Sequence, residues 1–272
     1  MGFIRDTIRL AIQRSLNRVG WDLITISDRK ELEGTLKLMK QRHPEIPYDF
    51  EDLHKSIFNT VKDCTMTSPD RLYSAIEAIR HLAKHNIEGD IVECGVFKGG
   101  SSMAMAMTLL DCGESNRNLY LYDTFSGMSE PTSEDLSFGG GDANTKFKEK
   151  ELKDIGGSDW CYSPLEEVQS NMERTRYPRE RIYFVKGKVE DTIPDTLPEK
   201  IAILRLDTDW YESTKHEMEH LFPRLVNGGI LIIDDYGHWQ GSKKAVDEYI
   251  KDNKIKLFLT RIDYTGRLAV KL

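Results

Sequence analysis

The sequence has few cysteines, no long apolar run and no surplus of positive charge. Its four cysteines, Cys64, Cys94, Cys112 and Cys161, are widely spaced and form no CxxC pair. That leaves neither a zinc ribbon nor a dithiol redox motif. Free thiols in a reducing cytoplasm are the simplest expectation. No apolar stretch approaches the roughly 20 residues of a membrane-spanning helix. The N-terminus carries arginines throughout and lacks the apolar region of a secretory signal. A formal charge of −7 gives no global attraction toward nucleic acid. A GxGxxG dinucleotide fingerprint is also missing, which disfavours an NAD-linked enzyme.

What remains is compatible with a globular chain. Its 272 residues bound the answer to one large domain, or one domain with an appendage. Ile4, Ile8, Ala11, Ile12, Leu16 and Val19 recur at three- and four-residue steps, with Arg5, Arg9, Arg14 and Arg18 off that stripe. An amphipathic helix is expected there. Its apolar face would pack on its own domain or on a second copy of the chain, with membrane-surface contact as the alternative. Residues 30–60 read as a second helix and a connection broken by Pro44 and Pro47. Residues 69–86 read as a helix with Ser68 as its N-cap and Pro69 in its first turn.

From residue 89 the pattern changes. The segments GDIVECGV, NLYLYD, RIYFVKG, IAILRLD and GILIIDD are short, near-continuous apolar strands with helical segments between most of them. LFLTRID and RLAVKL close the chain around Gly266. Such alternation predicts an α/β domain with a doubly wound, mostly parallel sheet and an antiparallel C-terminal end. The expected division is a helical extension over 1–60 and an α/β core over 61–272. Within the core, residues 126–164 have no strand pattern, and Gly139, Gly140 and Gly141 offer hinge freedom. So long a connection at the carboxyl edge of a strand reads as a lid.

Chemistry gathers at the strand ends. The first strand turns into its helix through Glu93, Cys94 and Gly95, a turn whose acidic residue suits a cationic ligand better than a pyrophosphate. Asp123 ends the second strand, where a carboxylate can accept the hydroxyls of a ribose. Asp207 and Asp209 end the fourth strand and Asp234 and Asp235 the fifth. Residues two apart face the same side, so these carboxylates converge on one cleft. They would repel one another unless a cation intervenes. An all-oxygen set selects a hard ion such as Mg²⁺, Mn²⁺ or Ca²⁺. His238, three residues beyond Asp235, reads either as a base or substrate-orienting group or as an ordinary loop histidine. His216-Glu217-Met218-Glu219-His220 matches the HExxH spacing of zinc proteases. Both histidines, however, fall opposite the stripe of Tyr211, Thr214, Met218 and Leu221, so the match reads as a solvated face.

The segments ECGVFKGGSS, LYLYDTFSGM, LRLDTDWYESTK and GGILIIDDYGHWQGSKKAVDEY, in that order, resemble the macrocin O-methyltransferase (TylF) family. The resemblance runs from about Cys64 to the C-terminus. It implies a Rossmann-like class I methyltransferase sheet with S-adenosylmethionine as donor and Mg²⁺ as cofactor. The acceptor would be a hydroxyl of a small molecule, a sugar of a glycosylated bacterial natural product or a phenol. By the same resemblance, Met66, Thr67, Glu93, Gly95, Ser101, Asp123, Phe125, Ser126, Gly187, Val189, Glu190 and Asp207 would surround the donor. Asp207, Asp234 and Asp235 would bind the metal, and Asp209 would be the general base, with His238 beside it. A homo-oligomer is expected from the apolar N-terminal stripe. The contrasting expectation is a catalytically silent nucleoside-binding scaffold that kept the fold.

Overall fold

The structure, a computed structural model, describes residues 46–152 and 157–272. The chain divides into two compact units, Met1–Asp49 and Phe50–Leu272. The helix expected over residues 4–19 and the segment 30–45 lie outside the described residues. Every described helix and strand belongs to the second unit.

That unit opens with helices α1 (Asp52–Val61) and α2 (Pro69–His85). As the sequence predicts, the Arg71 amide donates to Ser68 Oγ at 3.2 Å, and Pro69 occupies the first turn of α2. Leu72, Ile76, Ile79 and Leu82 bury its apolar stripe, and Asn86 ends it in a left-handed conformation with φ 51°. The next elements are β1 (Asp90–Cys94), α3 (Gly100–Asp111), β2 (Leu119–Asp123), α4 (Ala143–Lys150), β3 (Glu151–Leu152) and β4 (Gly157–Ser158). Then come α5 (Leu165–Glu173), β5 (Ile182–Lys186), α6 (Val189–Thr192), β6 (Ile201–Leu206) and α7 (Tyr211–His220). The chain closes with β7 (Leu225–Ile233), α8 (Gln240–Asp252), β8 (Thr260–Arg261) and β9 (Arg267–Val270).

Seven strands form one sheet in the order β5-β2-β1-β6-β7-β9-β8. The first five are parallel; β9 runs antiparallel to β7, and β8 antiparallel to β9. The chain therefore leaves β1 outward to β2 and β5, then returns to β6 on the other side of β1. That reversal makes the β1/β6 boundary the switch point at which such sheets hold ligands. Alternation splits the strand residues between two faces. Val92, Cys94, Leu204, Leu206, Leu231 and Ile233 pack with Met218 and Leu221 near α7 and with Val246 from α8. Ile91, Glu93, Ile203, Arg205 and Ile232 point to the other face, and all are buried. Both faces are thus covered, which is why the strands read as continuous apolar runs.

The long connection after β2 differs from its sequence reading in one respect. It contains α4 and a two-stranded β3–β4 ribbon, each strand only two residues long. Strands so short leave no period to detect. The three glycines form a tight turn pinned by Ser137: the Gly141 amide donates to Ser137 Oγ at 2.7 Å, and the Ser137 amide donates to the Gly141 carbonyl at 3.0 Å. The connection is tied to both site-bearing loops. The Trp210 indole donates to the Ser129 carbonyl at 3.0 Å, and the Gln240 amide to the Leu136 carbonyl at 2.9 Å. Ala143, Phe147, Trp160, Trp210 and Trp239 form an apolar cluster between them. Among the described residues, no helix is long and apolar enough to cross a membrane.

Asp135 is the buried anchor of this connection. It accepts from the Thr132 amide and hydroxyl at 2.7 and 2.9 Å and from the Tyr211 amide at 2.8 Å. Asp135→Ala leaves these donors unpaired and is expected to cost about 2–3 kcal/mol. Hydrogen exchange across residues 128–142 should accelerate, and unchanged exchange there would refute the anchor.

Candidate active site

Five neighbouring strands, β5, β2, β1, β6 and β7, end in step. The Gly187 amide donates to the Asp123 carbonyl at 3.0 Å and the Gly95 amide to that of Tyr122 at 2.8 Å. The Asp207 amide donates to the Cys94 carbonyl at 2.8 Å and the Asp234 amide to that of Leu206 at 2.9 Å. This row carries Asp123, Gly95, Asp207 and Asp234 to one edge of the sheet. Gly95 is required by close approach. Its φ is +82°, and a Cβ there would meet the Asp207 carbonyl oxygen at 2.0 Å.

Behind that edge lies a buried charge network that a count of carboxylates does not reveal. Register sets Glu93 of β1 directly beside Arg205 of β6. The Arg205 guanidinium, 2% exposed, donates to Glu93 at 2.6 Å, to Asp207 at 2.7 Å and to Asp234, and to Thr67 Oγ1 at 3.2 Å. Burial opposes its charge, but Asp207, Asp234 and Glu93 hold its pKa well above the ordinary arginine value. Glu93 is completed by the Ser102 hydroxyl. Arg71 donates to Asp234 and, at 3.0 Å, to Asp263. The positive charge that converging carboxylates require is therefore supplied in part by the protein itself.

Two guanidiniums do not discharge the whole cluster. Asp207, Asp234 and Asp235 each offer one carboxylate oxygen, all within 4.8 Å of one another. Burial raises the pKa of Asp207 and of Asp235 well above the usual carboxylate range, and neighbouring carboxylates add to the shift. Asp209 is pushed up to about 7, chiefly by burial, with the charges of Asp207 and Asp234 adding and hydrogen bonds with Asp235 and Trp239 opposing. Its backbone sits at φ 68°, a conformation that non-glycine residues adopt at a cost and that clusters at functional sites. An all-oxygen set still short of positive charge fits a hard divalent cation.

Two cavities meet here. The narrower is lined by Gly95, Asp123, Gly187, Val189, Glu190, Asp207 and Thr208 among others. The wider, about 660 Å³, is lined by Met66, Thr67, Glu93, Ser101, Asp207, Asp209, Asp234, Asp235 and His238 together with aromatic and basic side chains. Asp207 borders both. Of the expected site residues, only Phe125 and Ser126 line neither. Phe125 is buried with φ 49°, and its amide donates to Asp123 at 2.7 Å. The Ser126 carbonyl accepts from the Ser158 amide at 2.9 Å. Both shape the loop around the site. Asp123 also accepts from the Val96 and Phe97 amides at 2.7 and 3.0 Å, so it braces the β1–α3 turn as well as facing the pocket. His238 shares a 2.6 Å hydrogen bond between its Nδ1 and the Tyr264 hydroxyl. Its pKa is lowered by burial and by the nearby cations Lys146 and Arg71.

The sequence reading missed Arg71, Arg205 and the aromatic wall of Trp160 and Trp239. Arg205 had a signal: a lone charge inside IAILRLD must find a buried partner. Arg71 had none, since its role depends on how α2 crosses the sheet. The HExxH match forms no metal site. The rings of His216 and His220 lie 4.3 Å apart and tilted at 47°, His216 Nε2 is hydrogen-bonded to the Ile193 carbonyl at 2.9 Å, and Glu217 turns the other way into the interior. The face is thus half-buried at His216 rather than fully solvated. Arg205→Met would leave Glu93 and Asp207 without their counter-charge and Asp234 with Arg71 alone, and is expected to cost about 3–5 kcal/mol. Urea denaturation measures this, and unchanged stability would remove Arg205 as the central counter-charge.

The geometry can be compared with known proteins. A profile of the macrocin-O-methyltransferase (TylF) family matches residues 45–270. The chain is 34% identical over 202 residues to the 8-demethyl-8-(2,3-dimethoxy-alpha-L-rhamnosyl)-tetracenomycin-C 4'-O-methyltransferase of Streptomyces olivaceus, covering 74% of this chain and 73% of that one. It is 30% identical, also over 202 residues, to the demethyldecarbamoylnovobiocin O-methyltransferase of Streptomyces niveus, with the same coverage of 74% and 73%. The solved structure of the O-methyltransferase NovP superposes with a TM-score of 0.66 at 28% identity, over 76% of this chain and 82% of that one. The chain belongs to the macrocin-O-methyltransferase (TylF) family and is an S-adenosylmethionine-dependent O-methyltransferase.

Proposed function

We propose that the protein is a metal-dependent O-methyltransferase whose acceptor is a sugar hydroxyl of a glycosylated natural product. The observation that carries this reading is the junction of two cavities at Asp207, with Asp209, Asp234 and Asp235 on the wider side. In support, the Streptomyces olivaceus relative is named for 4'-O-methylation of a rhamnosyl tetracenomycin.

S-adenosylmethionine supplies a methyl group already activated by its sulfonium. The narrow pocket would hold it, with Asp123 toward the ribose and Val189 and Glu190 toward the base. Gly95 lets the β1–α3 turn approach it, and Met66, Thr67 and Ser101 close it from the wider cavity. A divalent ion at Asp207, Asp234 and Asp235 would lower the pKa of the acceptor hydroxyl and orient it. The protein does the rest. Asp209 takes the proton from the acceptor oxygen, and its raised pKa matches that task near neutral pH. Arg205 keeps Asp207 and Asp234 in place. His238 offers a polar contact at the rim. Trp160 and Trp239 present apolar faces suited to a sugar ring, and the 126–164 connection acts as the lid that excludes water. The same reading has the segment before Phe50 join copies of the chain into a homo-oligomer in the cytoplasm.

Asp209→Asn is expected to lower kcat by about 10²–10⁴-fold while donor affinity by calorimetry is retained. A parent-like kcat would remove Asp209 as the base. Labelled methyl transfer to a panel of glycosides and phenols should favour glycosides. It should be lost in EDTA, be restored by Mg²⁺, and be abolished in Asp234→Asn/Asp235→Asn. Full turnover in EDTA would sink metal dependence, and preference for phenols would sink the sugar assignment.

A further inference from the structure

Glu217 is fully buried on α7, and the chemistry above does not use it. Its Oε1 accepts a hydrogen bond from the Thr208 hydroxyl at 2.9 Å, while its Oε2 is buried with no hydrogen-bond partner. The Cys94 thiol, also buried, lies against the same carboxyl. Thr208 lies in the four-residue β6–α7 turn. Asp207 precedes it, and Asp209 comes next at φ 68°. A backbone so placed persists only where its surroundings over-determine it. Several contacts do so here: Arg205 holds the Asp207 carboxylate, the Trp210 indole donates to the Ser129 carbonyl, and the Tyr211 amide donates to Asp135. The Asp207 amide is held by the Cys94 carbonyl, and the Trp210 amide donates to the Thr208 carbonyl at 2.8 Å. The side-chain bond from Thr208 to Glu217 ties this turn to the succeeding helix.

We propose that Glu217 is a positioning residue: through Thr208 it fixes the turn that presents Asp207 and Asp209 to the junction of the two cavities. The proposal rests on the active-site reading above for those two aspartates. A buried carboxyl serves packing alone poorly, since a leucine would fill the space without a polar cost. Burial pushes the Glu217 pKa well above the carboxylate range, with the charges of Glu190 and Asp207 adding. Glutamine is the isostere that keeps an oxygen to accept from the Thr208 hydroxyl.

The test uses the full chain with Glu217→Leu, Glu217→Gln, Thr208→Val and the double variant Thr208→Val/Glu217→Leu. Amide exchange at Trp210, whose amide donates to the Thr208 carbonyl, is read first, because it needs neither acceptor nor metal. It should accelerate in Glu217→Leu and Thr208→Val and stay near the parent in Glu217→Gln. With the acceptor found by the panel, kcat should fall about 10- to 100-fold in each of the first two variants, with the donor KM little changed. The double variant should fall no further than the worse single one, as expected for residues acting as a unit. Global stability of Glu217→Leu should equal or exceed the parent's. Parent-like exchange and kcat in Glu217→Leu would overturn the proposal. So would a silent Thr208→Val, or a Glu217→Gln as impaired as Glu217→Leu. A failed acceptor assignment leaves the exchange result standing, so the two readings fail separately.

Discussion

The structure depends on a single buried guanidinium. Arg205 sits on β6 beside the switch point, and its ion pairs and hydrogen bonds join β1 through Glu93, the strand edge through Asp207, β7 through Asp234 and the segment before α2 through Thr67. A charge buried without partners is untenable, so these four groups must arrive together for the sheet to close. The network also sets the electrostatics of the cleft. It neutralises enough of the carboxylate cluster for the fold to tolerate it. It leaves enough to favour a cation at the surface of the same cluster.

Around that network the labour is divided by polarity. The floor of the wide cavity is acidic and comes from strand ends, which the sheet holds rigidly. Its wall is aromatic and comes from connections: Trp160 from the long β2 insertion and Trp239 from the turn after β7, with Trp210, from the turn after β6, packed against both. Trp210 and Trp239 pack edge to face at 5.1 Å, and Trp160 meets Trp210 at 5.6 Å. The insertion and the two acid-bearing turns therefore share one apolar contact, in addition to the hydrogen bonds of Asp135. Any rearrangement of the insertion must break this contact, and so it is coupled to the position of Asp209, one residue before Trp210.

Much of this was legible in the sequence. The parallel sheet, its antiparallel end, the cap at Ser68 and the convergence of Asp207, Asp209, Asp234 and Asp235 all followed from period and from placement at strand ends. Local reasoning failed at three places. The β3 and β4 strands are too short to carry a period. The HExxH match, read as a solvated face, has its glutamate pointing inward. Local pattern offers the acidic cluster a metal as its counter-charge and not Arg71, because Arg71 lies on a helix whose crossing over the sheet no local pattern encodes.

Hydrophobic period assigns the strands, and strand ends fix the carboxyl edge of the sheet, so the residues that reach that edge are set by the order of amino acids alone. What those residues touch depends on how the layers pack. Register between β1 and β6 paired Glu93 with Arg205, the packing of α2 brought Arg71 to Asp234, and the docking of α7 turned Glu217 onto Thr208. Each is a contact between residues distant in sequence or set by the rotation of a helix. Its energy exists only once the layers have closed and water has been excluded.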